Sequence, residues 1–194
     1  MLVPLQLPRQ PAAVDADAFK AAMRQLPGGA AIVTAGDGSA VSGMTVTSLV
    51  SLSVDPPSIM VAINRNASAW PLIARSGVFG ANILCAADVD LADRFSGRSG
   101  LSGPRRFDRE QWSTLSTGAP ILLAALAALD CEVERIVDHH SHAIVIGRVV
   151  AVNVSEGRDA LAYWNGNYEV VGNTDDLQSL ADACFPPSRG LWDI

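Results

Sequence analysis

Residues 43–57 read GMTVTSLVSLSVDPP, and the fold turns on how this run is understood. Thr45, Thr47, Ser48, Ser51 and Ser53 put five hydroxyls into an otherwise apolar stretch with no charge before Asp55. A strand core has little use for so many hydroxyls, and a solvent-facing strand would carry Lys or Glu. Two readings stay open. In one, half-buried hydroxyls bond neighbouring backbone in a Thr/Ser-rich strand, which is the commoner case for such a run taken alone. In the other, small hydroxyls and backbone amides form a surface for a planar, polar heterocycle such as a flavin, which bulky or charged side chains would block.

Working outward, the elements around this run are short and mostly extended. DADAFKAAMRQL (15–26) places Phe19, Ala22, Met23 and Leu26 on one helical face, with Asp15 as N-cap and Pro27-Gly28-Gly29 as the stop. AAIVTA (30–35), a GDGS turn and AVSGMTVTS suggest a hairpin. SIMVAI (58–63) is a buried strand set off by Pro56 and Pro57. NASAWPLIARSG (66–77) reads as a helix with Pro71 in its first turn and Gly77 past its end. VFGANIL (78–84) is strand, AADVDLADRF (86–95) a short helix, and 96–111 a surface loop rich in glycine and arginine. In 121–137 alanine favours helix, while CEVERIV alternates as strand, so strand is expected for the second half. HAIVIGRVVAVNV (142–154) is strand, and LAYWNGNYEVV (161–171) is a strand pair around Asn165-Gly166. Many short strands with a few helices predict a mainly β protein with flanking helices, a β-barrel with helical additions. One domain is expected over 1–194, with its core in 15–171, an N-terminal arm at 1–14 and a tail at 172–194.

Composition narrows the function classes. At 194 residues, with 49% hydrophobic and 18% charged residues, the chain can bury a full core and has modest polar surface, a hint of an oligomer. The net charge of −6 speaks against a nucleic-acid partner. Cys85, Cys131 and Cys184 are far apart and odd in number, as in a reduced, cytoplasmic protein. ILLAALAAL (121–129) is the longest apolar run, far too short to span a membrane. The glycines at 36, 38 and 43 do not make a dinucleotide fingerprint, and there is no P-loop or GxSxG.

Further signals are individually loose. Asn64-Arg65-Asn66-Ala67-Ser68-Ala69-Trp70 is a strand end, a polar turn and a helix start, where Ser68 and the first helical N–H groups offer an anion site beside Arg65. An ordinary N-cap that binds nothing is the commoner outcome. Arginines 94, 98, 105, 106 and 109 cluster around the loop, where such charges are usually only solvated. His139, His140 and His142 lack a carboxylate or cysteine at ligand spacing, and strand alternation would put 140 and 142 opposite 139, so no metal is expected.

Taken in order, GMTVTSLVSLSVDPPSIMVAINRNASAWPLI, GVFGANIL, ADRFSG…RRF, ALDCEV, SHAIVIGRV and YWNGNY resemble the short-chain flavin reductase family, from about Phe19 to Val171. These are the reductase components of two-component flavin-dependent monooxygenases. The resemblance implies an FMN-binding split β-barrel, a homodimer, and hydride transfer from NADH or NADPH to FMN or FAD, which then diffuses to the monooxygenase. Carried onto this chain, it implies that Thr45, Val46, Thr47, Ser48, Ser51 and Ser53 line the flavin ring and ribityl chain. Asn64, Ser68, Ala69 and Trp70 would hold the phosphate end, Ala81 and Asn82 would touch the flavin, and Arg106-Phe107 would lie near it. His142 would face the nicotinamide, although His140-Ser141 stands where the family commonly has Gly followed by Asp, Thr or Ser. No side chain is expected to act as nucleophile or base, since the hydride passes between the cofactors themselves. The remaining alternatives are a flavin-binding electron carrier or sensor on the same barrel, and a relative of the pyridoxamine phosphate oxidases, against which the order GMTVTS…NRNAS argues.

Overall fold

The computed structural model describes residues 13–107, 111–155 and 158–172. Helix α1 (Ala16–Met23) begins at Asp15, whose carboxylate accepts a hydrogen bond from the Ala18 amide at 3.1 Å. Strands β1 (Gly28–Gly29), β2 (Ala31–Asp37), β3 (Ala40–Val46), β4 (Val50–Val54) and β5 (Pro57–Asn64) follow, then α2 (Trp70–Ser76) and β6 (Val78–Ile83). After α3 (Val89–Phe95) come β7 (Trp112–Thr114), β8 (Pro120–Leu122), β9 (Ala127–His139), β10 (His142–Val154), β11 (Ala160–Trp164) and β12 (Asn167–Val171). The expected mainly β architecture with flanking helices is what forms.

Seven strands make one antiparallel sheet in the order β3-β2-β6-β9-β10-β5-β4. β3 and β4 are consecutive in the chain yet lie at opposite edges of that sheet. Were the sheet flat, its edges would be roughly 29 Å apart, six steps of about 4.8 Å. The link Thr47-Ser48-Leu49 can reach at most about 14 Å between Val46 and Val50. The sheet must therefore curl until its edges face each other across that link. They do not pair, which leaves a barrel with a lengthwise split.

The barrel closes on Val33, Val61, Ile63, Phe79 and Val145, none of which is exposed. Each such side chain contributes about 1.5–3 kcal/mol by leaving water. A second apolar cluster lies on the outside of the sheet, where Phe95, Leu84, Leu122 and Leu161 pack on Ile32. It carries the small sheet β1-β11-β12 and helix α3. That placement brings the β11–β12 hairpin to the split.

Three expectations need adjustment. The helix expected over 66–77 begins only at Trp70, with Ala69 as its N-cap and no side-chain cap; Pro71 and Gly77 sit where expected. The alanine-rich start of 121–137 is not helical. β8 and a turn precede β9, whose edges are taken by β6 and β10, so tertiary pairing overrides alanine's helix propensity. The histidines also differ: residues 140 and 141 form the β9–β10 turn, so His139 and His142 are cross-strand partners rather than opposite faces of one strand. The arm (1–12 of it), most of the tail (from 173), Arg109 and Cys184 lie outside the described residues.

Candidate functional site

The link Thr47-Ser48-Leu49 crosses the split, and a pocket of about 250 Å³ opens beside it. Thr45, Val46 and Thr47 form one wall, and Ser96, Arg98, Tyr163 and Tyr168 the other. Tyr163 and Tyr168 are Cα partners in the β11–β12 hairpin, with ring centroids 5.2 Å apart at an interplanar angle of 67°. Their turn, Asn165-Gly166, has φ of 49° and 92°, values that a two-residue hairpin turn of this hand requires. β1 draws the hairpin in: Gly28 pairs with Tyr163 and packs against Thr47. Arg98 donates to the Tyr163 hydroxyl at 3.0 Å and to Asp93 at 3.3 Å. Burial, and after it the charge of Asp93, pushes the Tyr168 phenol above its usual range.

The five hydroxyls of the opening run divide between the two readings. Thr45 donates to the Ala92 carbonyl at 2.6 Å, Ser48 to Ala62 at 2.9 Å and Ser53 to Asp55 at 3.1 Å. These three brace backbone. Thr47 and Ser51 are exposed, and neither hydroxyl has a partner among the described residues. Of the two, Thr47 lines the pocket at the split and Ser51 does not.

The polar turn after β5 forms a separate corner. Asn64 accepts the Asn66 amide at 2.9 Å, and the Ser68 hydroxyl lies 2.7 Å from that of Ser42 instead of capping α2. His142 is the Cα partner of Asn64, its ring 2.9 Å from the Ser141 hydroxyl, and it does not line the pocket beside Thr45–Thr47. Arg65 pairs with Asp138 at 3.7 Å. Trp70 is half-buried and packs on the barrel core.

Several residues implied by the resemblance are placed elsewhere. Ala69, Ala81 and Asn82 have no exposed surface, so none can touch a ligand held outside this chain. Asn82 spends its amide on the Ile32 carbonyl at 3.0 Å and the Leu122 N–H at 2.7 Å, tying β2, β6 and β8 together. Arg106 is a clamp: it donates to the carbonyls of Leu101 at 2.8 Å, Gly43 at 2.9 Å and Phe95 at 3.3 Å. Burial lowers its pKa, an arginine drawn inward rather than extended to an anion. Phe107 packs edge-on to Phe95 at 5.1 Å and beside Trp112 at 4.8 Å.

What residue-by-residue reading missed is the second wall. Arg98 stood among five loop arginines without distinction, and Tyr163 and Tyr168 were visible only as flanks of an Asn-Gly turn. Their symmetric spacing about that turn was the available signal, because it makes them cross-strand neighbours. Among the described residues no group of His, Cys, Asp and Glu could hold a metal ion, and no helix is long and apolar enough to cross a membrane. Cys85 and Cys131 are free and buried.

Comparison with known proteins agrees with this geometry. The model of the flavin reductase like domain matches residues 23–172. The FMN reductase (NADH) RutF 2 of Methylorubrum extorquens is 40% identical over 168 residues, covering 85% of this chain and 95% of that protein. BorF, the flavin reductase component of a bacterial two-component tryptophan halogenase, superposes with a TM-score of 0.76 at 30% identity, over 82% of this chain and all of that one. The styrene monooxygenase flavin reductase of Pseudomonas putida S12 does so at 0.67 and 29%, over 80% of this chain and 98% of that one. With a split barrel, a hydroxyl-lined seam and these relatives in hand, the chain belongs to the flavin reductase-like family.

Proposed function

We propose that this chain is an NADH-dependent flavin reductase that reduces FMN and releases it to a separate flavin-dependent monooxygenase. The observation that carries the reading is the pocket at the split, where an uncharged wall with the free Thr47 hydroxyl faces two tyrosine rings. It fits a planar polar ring: the Thr45–Thr47 wall presents backbone and small side chains, and the Tyr163 and Tyr168 rings stand opposite it. The relatives named as NADH-dependent FMN reductases support the donor and acceptor, and the styrene monooxygenase component supports the partner.

When bound together, nicotinamide and flavin supply the redox chemistry themselves, a hydride passing from one ring to the other. The residues here bind and orient. Thr45 and Ser48 fix the seam by their bonds to Ala92 and Ala62, so the wall does not have to reorganise when a ring arrives. Thr47 and Ser51 offer hydroxyls to the ring edge and ribityl chain. Arg65 and Ser68 favour a phosphate at the corner after β5, next to Asn64 and Trp70, with His142 beside them. Tyr163 and Tyr168 exclude water from the second side.

A homodimer in the cytoplasm is part of the same reading. Val50, Leu52 and Val54 on β4 are 47%, 50% and 91% exposed, and Val152 and Val154 on β10 are 54% and 64% exposed. A second copy would cover such surface. Two buried, unpaired thiols suit a reducing compartment.

The deciding experiment is NADH oxidation by the purified protein with and without FMN, followed by nicotinamide absorbance. Oxidation that depends on added FMN supports the reductase. Tight FMN binding without any oxidation would replace it with a flavin carrier or sensor.

A further inference from the structure

A cavity of about 310 Å³ opens at the other end of β3 from the split, between the β2–β3 turn and β7. Phe107 and Trp112 line it, their ring centroids 4.8 Å apart, together with Val41, Pro120 and Ser113. Two of its groups are unmatched. The Trp112 indole N–H is buried and has no acceptor among the described residues, and a buried donor in that state is costly. Asp37, on the rim, is exposed and has no ion-pair partner among the described residues. No cation lines the cavity.

This chemistry calls for an extended, proline-bearing segment with one positive charge. Proline rings pack on aromatic faces, and a polyproline II backbone makes no internal hydrogen bonds, so its carbonyls are free to accept. The chain carries such a segment in its own tail: residues 185–189 read FPPSR, and Arg189 is the only cation after Gly172. Thirteen residues lead from Gly172 to Phe185, enough to span about 43 Å when extended. The way is short. Gly172 abuts Asp159, whose carbonyl accepts from the Ala86 amide at 2.9 Å. Ala87 shares a cavity with Gln111 and Leu122, and Leu122 is the Cα partner of Trp112. The arm also joins prolines to an arginine, in Pro8-Arg9-Gln10-Pro11. Pro8, however, can stand no more than about 18 Å from Ala13, and α1 beyond it is seated by Thr47, at the far end of β3.

We propose that the tail docks in this groove, with Pro186 and Pro187 on Phe107 and Trp112, a tail carbonyl accepting the indole N–H, and Arg189 facing Asp37. Docked there, the tail closes the outer apolar cluster over Trp112, whose ring lies 5.5 Å from that of Phe95, and leaves the pocket at the split open.

Cys184, next to Phe185, reports the docking, because Cys85 and Cys131 are buried. The full chain carries Ser113→Cys at an exposed position on the groove, with Lys20→Cys, exposed on α1, as the control. Under oxidised glutathione, with isotope-labelled and unlabelled chains mixed, mass spectrometry follows the disulfide to Cys184. The expected result is a bond within one chain, formed at least roughly tenfold faster from position 113 than from position 20. Asp37→Lys and Arg189→Asp should each slow it several-fold, and the two together should restore it. Equal rates from positions 113 and 20, or rates indifferent to both charges, would overturn the proposal and leave the groove to another occupant. So would a bond joining labelled to unlabelled chains, which would give the groove to the tail of a second copy.

Discussion

Gly28 lies so close to Thr47 that a methyl group on Gly28 would stand 3.0 Å from both the β-carbon and the carbonyl oxygen of Thr47. That contact seats β1, and through it Tyr163, against the seam of the barrel. Gly28→Ala must push the hairpin and the Thr47 wall apart by a few tenths of an ångström. Overpacking of this kind costs about 1–3 kcal/mol. The expected result is a lower melting temperature together with a raised KM for NADH; an unchanged KM in a folded variant would detach β1 from the site.

Thr47 itself is exposed, so a larger side chain there should be tolerated by the fold and not by the ligand. Thr47→Arg is expected to keep the wild-type melting temperature and to lose flavin-dependent NADH oxidation. Ser48→Ala should do less: losing one bond to Ala62 costs about 1 kcal/mol and loosens FMN binding, with turnover kept at saturating FMN. Complete loss of turnover in Ser48→Ala would give that hydroxyl a chemical role that the geometry does not assign.

Arg106 distinguishes a clamp from a ligand. Its hydrogen bonds to three carbonyls, one of them Gly43 of β3, predict that Arg106→Met releases the 96–106 loop from the barrel. A bond to a charged group is worth about 1.5–3 kcal/mol, so the stability loss should be of that size or larger. Limited proteolysis in the loop should speed up well before FMN affinity falls. A loss of FMN affinity with no change in proteolysis would restore the role that the family resemblance implies.

Alkaline pH should weaken the fold through Cys131. Burial, then the charge of Asp130, pushes its thiol from 9.0 to about 12. The unfolded chain releases this proton near pH 9 and the native state holds it, so the native state binds more protons between those values. Stability is then fully present below about pH 9 and is lost as pH rises toward 12, on the order of 4 kcal/mol in all. Cys85 and Tyr168, both raised chiefly by burial, act in the same direction. Thermal unfolding of Cys131→Ala across this range should show a shallower slope than the wild type; parallel slopes would exclude the thiol.

Much of the fold is legible from local chemistry. β10 reads as strand over its full length, from its alternation and its β-branched residues, and the β11–β12 turn follows from Asn165-Gly166. β9 is harder to read, since its alanines carry no strand preference and its extended form is imposed by β6 and β10. In the site, residues local to the seam such as Thr45 and Thr47 can be found from their run of hydroxyls. Asn82 misleads because a polar residue on a strand next to the seam looks like a contact, when its amide is in fact consumed by Ile32 and Leu122. Tyr163 and Tyr168 reach the pocket through pairing with Gly28, a contact across more than a hundred residues that no local pattern encodes.

The topology has a consequence for how such a pocket can change. Because β3 and β4 are joined by Thr47-Ser48-Leu49 alone, both banks of the gap belong to one short peptide. Adding or removing a residue in that peptide would shift one bank against the other while the six ladders of the large sheet stay in register. Gap width, and with it the size of ring admitted, is set by a dial three residues long, anchored to β5 through Ser48 and to β1 through Thr47.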